Sequence, residues 1–131
     1  MSNDRFRSDF ARLLTKVGDN AETVVRRFAL QIGQQLISRS PVDTGRFRGN
    51  WQCGIDRIDG NTFSPPDTLG EGAAQRLKTT LGSWKPGQTI NITNSLPYAR
   101  RLEYGWSQQA PQGMVRLTVQ DFKNHVRGAS Q

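Results

Sequence analysis

The spacing of apolar residues changes twice along this chain, and the order of those changes decides the fold class. Phe6, Phe10, Leu13, Leu14 and Val17 recur at helical period, and a second helical stripe runs through Ala21, Val24, Val25, Phe28, Ile32 and Leu36. Gly18-Asp19-Asn20 separates the two as a break and restart. The second helix must stop before Pro41, because a residue preceding proline is pushed out of the α region. From Phe47 the period falls to two: Phe47, Trp51, Cys53 and Ile55 alternate with Arg48, Asn50, Gln52 and Asp56, as in a half-buried strand. Asp59-Gly60 supplies a hairpin-turn signal, which predicts a short return strand over 61–64 that Pro65-Pro66 ends. Thr89 to Thr93 alternates again and predicts another strand. Pro97 then opens a short helical turn carrying Tyr98 and Leu102, closed by Gly105, and Pro111 opens a last helix with Val115, Val119, Phe122 and Val126 as its apolar stripe.

Helices, strands, then helix predict an α+β fold with an antiparallel sheet. Residues 1–39 form its helical N-terminal part, 46–94 a small sheet, and 97–127 its helical C-terminal part. Within the sheet region, 65–87 is rich in Gly, Thr and Pro and reads as a long mobile loop, with at best one short helix around Ala73–Leu81. A chain of 131 residues with 34% apolar content suits a single domain, large enough to bury a core without disulfide or metal staples.

Composition removes several function classes. One cysteine, Cys53, excludes an internal disulfide and a multi-cysteine zinc site, and one histidine, His125, leaves the usual histidine-rich metal sites without ligands; no cofactor is expected. No apolar stretch approaches the roughly 20 residues that span a bilayer. The N-terminal MSNDRFRSDF is charged and lacks the apolar run of a signal peptide, so the expected location is a cytoplasm or something assembled there. Lys plus Arg number 18 against 11 Asp plus Glu, giving a net charge of +7, which favours an acidic partner.

Candidate chemistry is sparse. Asp43-Thr44-Gly45 has the loop sequence in which aspartic proteases place their catalytic Asp, and a chain of this length could supply half of a homodimeric protease, with two aspartates sharing one proton. Here a helical segment precedes it and Arg46 follows, and a cation beside such a dyad would ionise both carboxyls. A turn explains the tripeptide better, with Asp43 capping it and Gly45 at positive φ before the strand. Cys53 and His125 resemble a nucleophile and base only in type: Cys53 falls on the apolar side of a strand, and His125 near a helix C-terminus. Gly70-Glu71-Gly72 lacks the remainder of a phosphate loop. Basic residues pair only at Arg26-Arg27 and Arg100-Arg101, short of a nucleic-acid arm. Trp84, Tyr104 and Trp106 fall in expected loops, where aromatics and arginines favour subunit contacts over base stacking. Glu103, after Arg100-Arg101-Leu102, suits an intersubunit salt bridge as well as a local pair.

Three segments, in order, resemble one family. They are Ser40-Pro41-Val42-Asp43-Thr44-Gly45-Arg46 with Trp51 beyond; Asn94-Ser95-Leu96-Pro97-Tyr98-Ala99 running into Leu102-Glu103-Tyr104-Gly105; and Ala110-Pro111 with Gly113-Met114-Val115-Arg116. Together, over about 40–131, they resemble the small neck and tail-completion proteins of long-tailed bacteriophages, the lambda-type minor tail protein Z group. The resemblance implies a non-enzymatic virion component at the head-proximal end of the tail that makes the tail competent to join the filled head. Its neighbours would be other tail and neck proteins, such as the tail terminator and the head–tail connector. Pro41, Asp43, Thr44, Gly45, Tyr98, Glu103, Gly105, Pro111 and Met114 carry over as fold and assembly determinants. The expected arrangement is a ring of copies near DNA, with Trp84, Arg100, Arg101, Tyr104 and Trp106 as candidate interface residues. The alternatives are a small basic DNA-binding module and the homodimeric aspartic protease.

Overall fold

The apolar stripes of the first two helices bury against each other and against the last helix. A computed structural model describes residues 2–41, 45–58, 60–63, 67–97, 99–104 and 113–131. Helix α1 (Ser2–Val17) turns through a 3-10 segment (Gly18–Asn20) into α2 (Ala21–Arg39). Leu13, Phe28 and Val126 are buried at the centre, with Phe6, Phe10, Val17, Val24 and Phe122 packed round them. The rings meet edge-on or tilted, Phe10 to Phe28 at 6.2 Å and Phe28 to Phe122 at 5.3 Å, which is the geometry aromatic quadrupoles favour. The last helix, α5 (Val115–Ser130), runs parallel to α1: Lys123 meets Asn3 at one end, and Lys16 reaches the carbonyls of Ala129 and Gln131 at the other. It is antiparallel to α2, whose Phe28 touches His125 and whose Arg39 reaches back to Thr118 and Asp121.

The sheet has two strands, β1 (Trp51–Ile55) and β2 (Ile90–Asn94), antiparallel, with Trp51 opposite Asn94 and Ile55 opposite Ile90. Three expectations are corrected here. The strand begins at Trp51, not Phe47, because Arg48–Asn50 coils into a 3-10 turn with Gly49 N–H bonded to Gly45 O and Asn50 N–H to Phe47 O. Among the described residues 61–63 there is no return strand: the fully buried Asn50 donates its amide to Phe63 O and accepts from Phe63 N–H, and Gln52 donates to Asn61 O. Side-chain amides thus take the place of a backbone ladder along that edge. The expected loop over 65–87 holds a core helix, α3 (Glu71–Leu81), with Ala73 and Leu77 at 0% exposure and Leu81 at 3%.

Helix α3 is made possible by two local devices. Asp67 folds back so that its carboxylate accepts the Ala73 N–H at 2.9 Å, satisfying an otherwise orphaned donor of the first turn. Gly33 in α2 leaves room for Leu77, whose Cδ2 would lie 2.0 Å from a Cβ there. The second core forms around α3 and the sheet, with Leu36, Ile37, Phe47, Trp51, Ala73, Leu96 and Met114 buried together. Helix α4 (Ala99–Glu103) lays Ala99 and Leu102 on it.

Helix α5 starts at Val115, later than the expected Pro111, and only the second half of its expected apolar stripe, Phe122 and Val126, faces the core. Thr118 and Val126 are fully buried and Phe122 is half-buried, whereas Val115 and Val119 are each 41% exposed. The first turns of α1 meet α5 at Phe122 and Lys123, so the N-terminal half of α5 runs on past the end of α1. Among the described residues no helix therefore lies over its outer valines.

Candidate assembly site

The resembling segments come together at the end of α2. Ser40 leaves the helix in extended conformation, as a residue before proline must, and Pro41 after it is buried. The buried Ser40 hydroxyl donates to Leu36 O at 2.6 Å and accepts the Trp51 indole N–H at 2.7 Å, with the Met114 sulfur 3.4 Å away. The 94–104 segment joins through Leu96, which is 3% exposed in the same cluster, and through Asn94, whose amide donates to Phe47 O at 2.9 Å. Arg48 fastens the surround, donating to the carbonyls of Ser38, Ser40 and Thr68.

Glu103 is the charged member of this knot. Its Oε1 accepts the N–H groups of Met114 and Val115, both at 2.8 Å, and its Oε2 accepts the Arg116 N–H at 3.0 Å and the Arg116 Nε–H at 3.2 Å. The Arg116 guanidinium also donates to the Glu103 carbonyl. One carboxylate thus neutralises the positive end of α5 from a different helix. Burial opposes the charge, but the three backbone donors and Arg116 together outweigh it and hold the carboxyl below the ordinary glutamate value. Gly113 makes the approach possible: at φ +83° its missing Cβ would lie 2.4 Å from the Glu103 carbonyl oxygen.

The expected site residues divide accordingly. Gly45 has φ +76°, the positive value expected of it. Glu103 and Met114 meet in the knot, where Met114 also touches Ser40, and Pro41 is buried beside Ser40 in the chain. Glu103 spends its charge within the chain, on α5 and Arg116. Tyr104 is 62% exposed with the Arg116 guanidinium 5.3 Å from its ring centre, and Arg100 and Arg101 beside it are exposed. Trp84 is corrected: it is only 7% exposed, its indole N–H donates to Gln88 O at 3.0 Å, and Arg26 stacks on it while bonding its carbonyl. Asp43, Thr44, Tyr98, Gly105, Trp106 and Pro111 lie outside the described residues.

The arginines are less a dispersed surface than the sequence suggests. Arg26 bonds the carbonyl of Leu81 at the C-terminus of α3, Arg39 ties α2 to Thr118 and Asp121, and Arg76 bonds Gly49 O beneath the Phe63 ring. Cys53 packs against the Ala29–Leu77–Leu81 cluster, where burial pushes its thiol pKa up, while His125 sits on Phe28 in the other core. Among the described residues no group of three or more His, Cys, Asp or Glu side chains is placed to hold a metal ion. Ser40, Gly113 and Arg116 lie within the resembling segments, but the sequence does not show what each of them bonds. The Ser-Pro pair is the one local signal that marks a helix end here. Comparisons with protein-family models, with curated proteins and with solved structures find no match to this chain.

Proposed function

We propose that this chain is a structural component of a bacteriophage virion, acting at the head-proximal end of the tail to complete it and enable head–tail joining. The observation that carries the reading is the convergence of the three resembling segments. Ser40 and Trp51 from the first, Leu96 and Glu103 from the second, and Gly113, Met114 and Arg116 from the third share one hydrogen-bonded knot. Three segments that lie apart in the sequence thus meet to fix a helix start and a core. The exposed Tyr104, carrying Arg116 against its ring and flanked by Arg100 and Arg101, offers the aromatic and arginine chemistry that dominates interface energetics.

In this reading copies form a ring on the tail end, and the net charge of +7 suits a place beside DNA or an acidic neighbour. Light scattering tests it. The expected result is a mass several times the 14.7 kDa of one chain, either alone or on purified tails. Monomers under both conditions would overturn it.

A further inference from the structure

We infer that the groove between the first turns of α1 and the outer face of α5 docks an acidic amphipathic helix of another protein. The groove has a volume of about 530 Å³, within the range of roughly 300–1,000 Å³ typical of ligand-binding clefts. Its apolar floor is Phe6, Val115 and Val119. Val115, Val119, Lys123 and Arg127 succeed one another at four-residue spacing and so form one ridge of α5, apolar in its first half and cationic in its second. Arg5 faces them from α1. The remaining charged groups of the lining are Arg116, paired with Glu103, and Asp9, paired with Arg12 at 3.6 Å. Arg5, Lys123 and Arg127 are left as cations that no carboxylate of the groove balances.

Charge identifies the occupant. A ridge with i, i+4 spacing accepts a helix laid along it, and this one asks for apolar side chains opposite the valines and carboxylates opposite Lys123 and Arg127. A second copy docked face to face would set like-charged rims against each other. Nor does the chain offer such a helix itself: Asp9, Glu22, Asp56, Asp67, Glu103 and Asp121 are engaged internally, and the other described carboxylates, Asp4, Asp19 and Glu71, belong to three separate elements. The Glu103 carboxylate already occupies the α5 N-terminus, so the cationic rim, not the helix end, attracts the acid.

The test uses fluorescence anisotropy with a labelled helical peptide of about 16 residues, long enough for about four turns, with Leu along one face and Glu beside it. A twin carries Lys in place of Glu. The Glu peptide should bind the full chain at least about tenfold more tightly than the Lys twin. Val119→Glu should weaken it about tenfold or more, and Lys123→Glu with Arg127→Glu should reverse the preference between the twins. Val119→Glu alters a surface position and should keep the parent's melting temperature to within about 2 °C. The double variant also gives up the Lys123 contacts with Asn3 and the Phe6 ring, so it is read only by the preference between the twins, at a temperature below its own melting transition. Equal binding of the twins, a Val119→Glu variant that melts and binds like the parent, or displacement of the peptide by a short DNA duplex would each overturn the assignment.

Discussion

Replacing Glu103 by Gln changes one oxygen to an amino group and tests how much the fold depends on a single carboxylate. In the parent, that carboxylate accepts three backbone N–H groups at the start of α5 and the Nε–H of Arg116. Glutamine keeps one acceptor and turns a donor toward N–H groups that are themselves donors. Loss of a helix cap costs about 0.5–2 kcal/mol, and a hydrogen bond to a charged group is worth about 1.5–3 kcal/mol. These contributions overlap, so about 2 kcal/mol is expected for Gln and about 3 kcal/mol for Ala. For a domain of this size that lowers the melting temperature by about 6–8 °C for Gln. The pH dependence follows from the lowered folded pKa. The stabilisation is fully present above the unfolded glutamate value of about 4.3 and is lost as pH falls through the folded value. Urea unfolding of parent and Glu103→Gln at pH 7 and pH 3 should therefore show a gap that narrows in acid. A gap below about 0.5 kcal/mol at pH 7, or one equal at the two pH values, would refute the role assigned to Glu103.

Three further predictions concern the core. Leu77→Ala should cost about 3 kcal/mol in urea unfolding, because Leu77 is fully buried against Gly33; a loop residue would cost almost nothing. Ser40→Ala should cost about 1–3 kcal/mol by stranding the buried Trp51 indole N–H, visible as a lower urea midpoint. Labelling of Cys53 by a thiol-specific disulfide reagent at pH 8 should be slow in the folded chain and accelerate on unfolding, since burial disfavours the thiolate.

The helices of both ends were legible because their stripes are long and their breaks are marked, by Gly18 between α1 and α2 and by Pro41 after α2. Strand β2 and the positive φ of Gly45 were legible for the same local reasons. What failed was non-local. The Asp59-Gly60 turn signal suggested a neighbouring return strand, but β1 pairs with Ile90–Asn94, and Asn50 and Gln52 hold 61–63 by their side chains. A short helix around Ala73–Leu81 was legible, but its place in the core was not, because only Ala73, Leu77 and Leu81 mark its inner face, among Gly and Thr, and its first turn is satisfied by Asp67 from outside. Val115 and Val119 carry a core-like spacing, yet among the described residues no helix reaches over them and each is 41% exposed. Trp84 could be read as a surface aromatic only until Arg26 and Gln88 were seen to close round it. Glu103 showed its charge in the sequence but not its partner, since the α5 N-terminus becomes its neighbour only through the fold.

Electron microscopy of lysates from a phage lacking this chain decides whether it joins tails to heads, as proposed. DNA-filled heads and separate tails should accumulate side by side, with joined particles restored when the purified chain is added. Intact, joined virions in its absence would rule the proposed role out.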